Sequence, residues 1–263
     1  MSTVKATQRF VTLIPAKGLT GAKRRLEVDP KQRRALAMCF LADAVAAASR
    51  AQLVKEVVVL TPDPSLGGLA GSLGATWLPD QAVGGLNAAV RDGVRRLRHP
   101  VGHVAVMVAD LPALDASELD TALGQLLDSD SGRLCVEDRS GGGTTLLAAR
   151  EARALVPQFG EDSAARHHEA GFSLATGALL GLRLDVDTLD DLRRAAALRS
   201  FGPVTARALS DLRLFERVNR VDGRHSISFP RRGSILAARG RHPSDDAHVR
   251  SEEVPVGADY LRP

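Results

Sequence analysis

"HVAVMVADLP", residues 103–112, is the stretch that decides how this chain folds. Its apolar residues run almost without a break, favour β-branching, and stop at Asp110 before Leu-Pro. A strand buried on both faces of a parallel sheet has this composition. Working outward, "VTLIP" (11–15), "EVVVL" (56–60) and "ATWLP" (75–79) read as further strands. Helical patterns alternate with them. "PKQRRALAMCFLADAVAAASRA" (30–51) places Leu36, Phe40, Leu41, Ala44 and Val45 at helical spacing, a short Gly-rich helix follows "TPDP", and "GGLNAAVRDGVRRLRH" (84–99) is helical after its glycines. Strand–helix alternation predicts βαβ units, a mostly parallel sheet and the α/β class. Right-handed crossovers bring the ends of "VTLIP", "VVVL" and "VAVMVAD" to one edge of that sheet. Further along, the pattern predicts a helix over 117–128, strands over 132–138 and 144–150, another strand within "GALLGLRLDVDT" (177–188), and a last core helix over 189–201.

The 263 residues are 44% hydrophobic and 25% charged, enough to build a sizeable core. Aromatics at 3% argue against stacking platforms for single-stranded nucleic acid. A formal charge of +4 favours anionic ligands without making a nucleic-acid footprint. Cys39 and Cys135 lack metal-ligand spacing and read as reduced, buried thiols of a cytoplasmic protein. With no apolar leader and no run of 18 apolar residues, neither secretion nor membrane insertion is expected. The opening "MSTVKATQRF" is polar and reads as a loose terminus. From about Ser210 the chain becomes rich in Arg, Ser, Pro and Asp, so a domain over 9–209 with a largely disordered tail over 210–263 is expected. A basic tail that docks a partner is the other reading. Within it, "LRLFERV" (212–218) reads as a short amphipathic helix able to pack on the domain or on a second subunit of a homodimer.

Three aspartates stand out as chemistry. Asp110 emerges at the carboxyl edge of the sheet, and Asp185 and Asp187 in "LRLDVDT" are two apart, which in a strand points both to one side. Carboxylates gathered there repel unless a cation lies among them, and hard oxygen donors with an incomplete shell suit Mg²⁺. The plain alternative is that Asp185 and Asp187 cap the helix starting near Leu189. The loop "LIPAKGLTGAKRRL" (13–26) offers Lys17, Lys23 and Arg25, cations suited to a triphosphate, although it lacks GxxxxGK[ST]; a solvated charge run is the plain alternative. "GGLAGSLG" (67–74) is not GxGxxG. "SGGGTTLLAAR" (140–150) and "FGEDSAARHH" (159–168) supply glycines and the hydroxyls of Thr145 and Ser163, with Arg166 nearby, for a small acidic molecule. A plain glycine turn and a helix N-cap are their alternatives, and His167 and His168 read as a solvated helix face.

Taken in order, "LIPAKGLTGAKRRL", "GLNAAV", "VMVADLPAL", "GTTLLAA", "FGEDSAARH" and "LDVDTLDDL" resemble the F420-pathway guanylyltransferases over about residues 9–209. The resemblance implies a Rossmann-like three-layer α/β/α sandwich of the nucleotide-diphospho-sugar transferase type. It implies transfer of GMP from GTP to phosphoenolpyruvate, with 2-phospho-L-lactate and 3-phospho-D-glycerate as alternative acceptors, and a downstream deazaflavin transferase that uses the product. It assigns Asp110, Asp185 and Asp187 to Mg²⁺ and makes Asp110 and Lys23 catalytic. Thr145, Gly160 and Ser163 fall to phosphoenolpyruvate, and Lys17, Lys23, Arg25, Gly85 and Asn87 to the nucleotide. Members often carry Ser or Thr where this chain has Arg24. Two other readings stay open. Molybdenum-cofactor and sugar nucleotidyltransferases share the fold but usually carry an LxGGxS-type loop, absent from "IPAKGLTGAKRRL". A non-catalytic nucleotide-binding scaffold is the second.

Overall fold

Residues 9–19, 23, 25–97, 102–198, 201–212 and 214 are described by the structure, a computed structural model. Seven strands form one sheet: β1 (Phe10–Pro15), β2 (Val54–Thr61), β3 (Thr76–Pro79), β4 (Val104–Met107), β5 (Arg133–Glu137), β6 (Thr144–Ala149) and β7 (Ser173–Leu174), in the order β3-β2-β1-β4-β6-β5-β7. The pairings β2–β3, β1–β2, β1–β4 and β5–β7 are parallel, and only β6 runs antiparallel to its neighbours. The sheet is therefore mostly parallel, as the alternation of strands and helices predicts.

Strict alternation sends side chains to two cores. Phe10 and Ile14 of β1, Ala105 and Met107 of β4 and Leu146 of β6 face the layer of α1 (Pro30–Arg50), α2 (Pro64–Ser72) and α4 (Ala116–Asp128). Val11 and Leu13, Val104 and Val106, and Leu147 face the layer of α3 (Gly85–Arg96), together with Phe159 and Phe172. A third cluster joins α1 to α6 (Leu189–Ala197) and α7 (Pro203–Asp211). Helix α1 starts where its sequence says: Asp29 caps it, Gln32 completes the capping box and Pro30 occupies the first turn.

Two expectations need correction. β4 is shorter than 103–112, because its pairing with β1 stops at Val106 and beyond Met107 only Val108 N–H still reaches β6, at Thr145 O, 3.0 Å. No strand forms within 177–188. Glu118 of α4 accepts the N–H groups of Gly181 and Leu182 at 3.0 and 2.8 Å, which turns the chain, and 184–187 then runs extended without a ladder. Three elements were not foreseen: β7, α7 and a single 3₁₀ turn over Ala152–Ala154. Helix α7 runs to Asp211, past the expected boundary at 209, and Leu214 is 2% exposed against the third cluster; apart from 210–212 and 214, the tail, with most of "LRLFERV", lies outside the described residues.

Helix α7 has its cap supplied from elsewhere in the chain. Asp43, in the middle of α1 and only 3% exposed, accepts the N–H groups of Val204 and Thr205 at 3.1 and 2.7 Å. Gly202 lies so close to that carboxylate that a Cβ there would overlap it. Asp43→Ala strands two N–H donors, the one of Thr205 buried and that of Val204 partly so, and should cost about 1–3 kcal/mol. Calorimetry should show a melting temperature several degrees lower, whereas an unchanged value would mean that α7 needs no cap.

Candidate active site

Chains leave β1 and β4 in opposite directions, β1 toward β2 and β4 toward α4 and β5, so their carboxyl ends form the crevice where open α/β sheets bind ligands. A cavity of about 400 Å³ opens there, lined among others by Lys17, Lys23, Phe40, Leu86, Asp110 and Asp187. It continues past Pro15 to Gly18 into a second, of about 250 Å³, bounded by Pro62, Asp80, Ala82, Gly85 and Leu86. A smaller polar pocket of about 160 Å³ lies on the other side of Asp187, between Arg25, Arg139, Asp138, Asp185 and Asp191.

The aspartates are brought together as follows. Asp110 follows β4, and its carbonyl accepts Val186 N–H at 3.0 Å, which lays 184–187 alongside it. Leu184 and Val186 are buried, so Asp185 and Asp187 turn outward, and Asp191 fastens the stretch by accepting Thr188 N–H at 2.9 Å. Lys23 donates to Asp110 Oδ2 and, at 2.9 Å, to Asp187 Oδ1, with its own side chain 10% exposed. Burial works against the ammonium, but the two carboxylates outweigh it and its pKa is raised. Burial, reinforced by Asp110, Asp187 and Asp138, pushes Asp185 up to about 7. Lys23 adopts φ +51°, a left-handed conformation that costs a non-glycine residue about 1–3 kcal/mol and often marks function.

The remaining candidates divide. Lys17 is exposed on the cavity wall, Arg25 faces the acidic pocket, and Gly85, at φ +80°, borders the second cavity. Asn87 has its amide committed elsewhere, donating to Phe159 O at 3.0 Å and accepting Phe159 N–H at 2.8 Å, so it ties α3 to the loop before α5 (Ser163–Glu169). Thr145 and Ser163 are each 1% exposed, and the Thr145 hydroxyl donates to Val136 O at 3.4 Å. Gly160 is exposed with φ +127°. Ala164 N–H to Gly142 O, 3.1 Å, brings the start of α5 to the glycine turn. Asp138, Arg139 and Asp191 were not foreseen; their signal was the polar turn "EDRSGGG" (137–143) beside the sheet edge.

The MobA-like NTP transferase domain profile matches residues 20–173, more than half of the chain. The phosphoenolpyruvate guanylyltransferase of Streptomyces avermitilis is 41% identical over 78% of this chain and 95% of that protein. This chain belongs to that family. The homologue of the same name from Thermomonospora curvata is 43% identical over 74% of this chain and 86% of its own. The fold is also that of solved structures of low identity. One, described as a nucleotide-diphospho-sugar transferase of Desulfovibrio desulfuricans G20, has TM-score 0.58 at 16% identity over 79% of this chain and 95% of its own. Another, a cytidylyltransferase of Leptospira borgpetersenii, has TM-score 0.52 at 13% identity, over 80% and 96%. The protein is thus a nucleotidyltransferase, and enzymes of this family generally use a divalent metal. No described helix is long and apolar enough to cross a membrane.

The donor set fits such an ion. Asp110 Oδ1 is buried without a hydrogen-bond partner, and Asp185 and Asp187 add carboxylate oxygens. Among the described residues no three carboxylate, His or Cys side chains are drawn up as around an ion, because Lys23 stands between Asp110 and Asp187.

His167 corrects the expectation of a solvated face: it is fully buried, a core residue of α5. Its Nε2 accepts Gln158 N–H at 2.9 Å, which leaves Nδ1 to donate to Thr144 Oγ1, also 2.9 Å. Burial, with Arg166 adding repulsion, pulls its pKa down from 6.5 to about 4. The fold binds the neutral ring, so this stabilisation is complete above pH 6.5 and is lost as pH falls toward 4, at up to about 1.4 kcal/mol per pH unit. Denaturant melts across that window should show the slope reduced in His167→Gln; an identical slope would show that His167 does not titrate on unfolding.

Proposed function

We propose that the enzyme transfers GMP from GTP to phosphoenolpyruvate, releasing pyrophosphate, and that the product passes to a deazaflavin transferase. The single observation that carries the reading is the meeting of Lys23, Asp110 and Asp187 at the β1/β4 crevice, in a chain 38–43% identical to proteins of that activity. In the proposed arrangement Lys17 and Lys23 receive the triphosphate in the crevice, Arg25 facing it only from across Asp187, and the second cavity, with Gly85, receives the nucleoside. Asn87 supports that wall through Phe159. Thr145, Gly160 and Ser163 form the acceptor side; the burial of both hydroxyls favours a contact through the backbone at Gly160 and the glycine turn. Asp110, Asp185 and Asp187 hold Mg²⁺, whose charge would offset that developing on the phosphoryl oxygens.

The acceptor phosphate is ionised at neutral pH, so no general base is required. An oxygen of that phosphate attacks the α-phosphorus in line, forming a new P–O bond while the bond to the bridging oxygen breaks and the electron pair leaves with pyrophosphate. The protein contributes position and charge, as in other phosphoryl transfers. Lys23 is the cation closest to the reacting centre, and Asp110 fixes it there.

Asp110→Asn removes one charge from this centre at nearly constant volume and should lower turnover by at least about 100-fold while the fold persists. Mass spectrometry of the product from GTP, Mg²⁺ and phosphoenolpyruvate provides the readout; near-normal turnover would remove Asp110 from the mechanism. Lys23→Ala leaves Asp110 and Asp187 facing one another without a counter-charge. It should raise the GTP requirement and lower the melting temperature, and Mg²⁺ should restore part of that stability. An unchanged GTP dependence would return Lys23 to a structural role.

A further inference from the structure

The loop before α5 reaches Gly160 through two peptide units that side chains pin from outside. In the unit joining Gln158 to Phe159, Arg166 donates to the Gln158 carbonyl at 3.1 Å and Asn87 Oδ1 accepts Phe159 N–H at 2.8 Å. In the unit joining Phe159 to Gly160, Asn87 Nδ2 donates to the Phe159 carbonyl at 3.0 Å. The other end of that second unit is Gly160 N–H, which meets no acceptor among the described residues. One side chain, 72 residues away in the sequence, thus holds the unit that carries an uncommitted donor.

A trans peptide is planar, so its N–H points opposite to its C=O. Fixing the Phe159 carbonyl therefore fixes the direction of Gly160 N–H. Gly160 does not hold that direction by itself: it stands at φ +127°, and glycine has the widest choice of other conformations. Asn87 lies in the first turn of α3, whose Gly85 and Leu86 line the second cavity. The hydrogen bonds of its amide nevertheless go to Phe159.

We propose that Asn87 is a positioning residue that aims Gly160 N–H at the acceptor and makes no contact with the nucleotide, although its helix walls the nucleoside cavity. This inference rests on the guanylyltransferase reading, with its backbone contact at Gly160, and moves Asn87 from the nucleotide side of the reaction to the acceptor side. A donor already oriented when the substrate arrives spares the cost of ordering it on binding. The helix turn that flanks one substrate in this way orients a donor for the other.

Steady-state kinetics with phosphoenolpyruvate and GTP test the assignment on Asn87→Ala and Asn87→Asp. Asn87→Ala releases the Phe159–Gly160 unit, and the KM for phosphoenolpyruvate should rise about 10-fold, the range of one oriented hydrogen bond to a charged group. The KM for GTP should stay within about twofold, a split that a merely structural residue would not produce. Asn87→Asp keeps the acceptor for Phe159 N–H and loses the donor to Phe159 O at nearly constant volume. It should raise the KM for phosphoenolpyruvate at least as far, and it carries the test alone if Asn87→Ala does not fold. An unchanged KM for phosphoenolpyruvate, or a rise for GTP as large or larger, would overturn the assignment; the second result is what a nucleotide contact would give. Absence of guanylylated product from the unmodified enzyme would overturn the underlying reading, and that result is visible before any variant is made.

Discussion

The site depends on one backbone hydrogen bond, Val186 N–H to Asp110 C=O at 3.0 Å. The residues before Val186 make no ladder, and among the described residues the sheet hydrogen-bonds them only through the Arg183 side chain, which donates to Glu137 of β5. The Val186 bond fixes the register of 184–187 against the end of β4, and burial of Leu184 and Val186 then decides which way Asp185 and Asp187 face. Asp191 accepts from Thr188 N–H and, at 3.3 Å, from Asp187 N–H, so the start of α6 holds the same stretch from its other end. Lys23, paired with both Asp110 and Asp187, offsets the repulsion between the two acidic segments that the Val186 bond brings together.

What is held this way is unfavourable by itself. Two carboxylates share one ammonium in a largely buried setting, a third is pushed up to about 7, and Lys23 is in a left-handed conformation. Ion pairs removed from water seldom add net stability, so the cluster is better understood as placed charge maintained by the rest of the domain. The stability comes from the two cores that sandwich the sheet and from devices such as Asp43, which caps α7 from inside α1.

That division explains what could be read from the chain directly. β1, β2 and β4 were legible because burial on both faces demands unbroken apolar runs, and Asp110 because an aspartate ending such a run has to emerge at the edge. The alternation around Asp185 and Asp187 was real, but an extended segment without a ladder shows it as clearly as a strand does, so the strand was misassigned while the two side chains still face one way. His167 was misread because α5 spans only seven residues, too few for a polar face to be told from a buried one. Asn87 and Asp43 were beyond local reading. Their partners lie 72 residues away at Phe159 and 161 residues away at Val204, and only the fold brings them together.

Transfer between two anions imposes a last constraint, that each must be held where the other can reach it. Asp187 lines both the crevice and the acidic pocket, so it forms the shared wall between them. On one side the walls are largely apolar, with Phe40, Leu66 and Leu86, and the cations are lysines on a loop. On the other side the walls are acidic, and the cation with a pinned backbone is an arginine. A compact ammonium point charge suits a triphosphate that must enter, react and leave as pyrophosphate. Asp187, paired with Lys23 on the crevice side and open to the acidic pocket on the other, is therefore where the charge balance of the two sides is set.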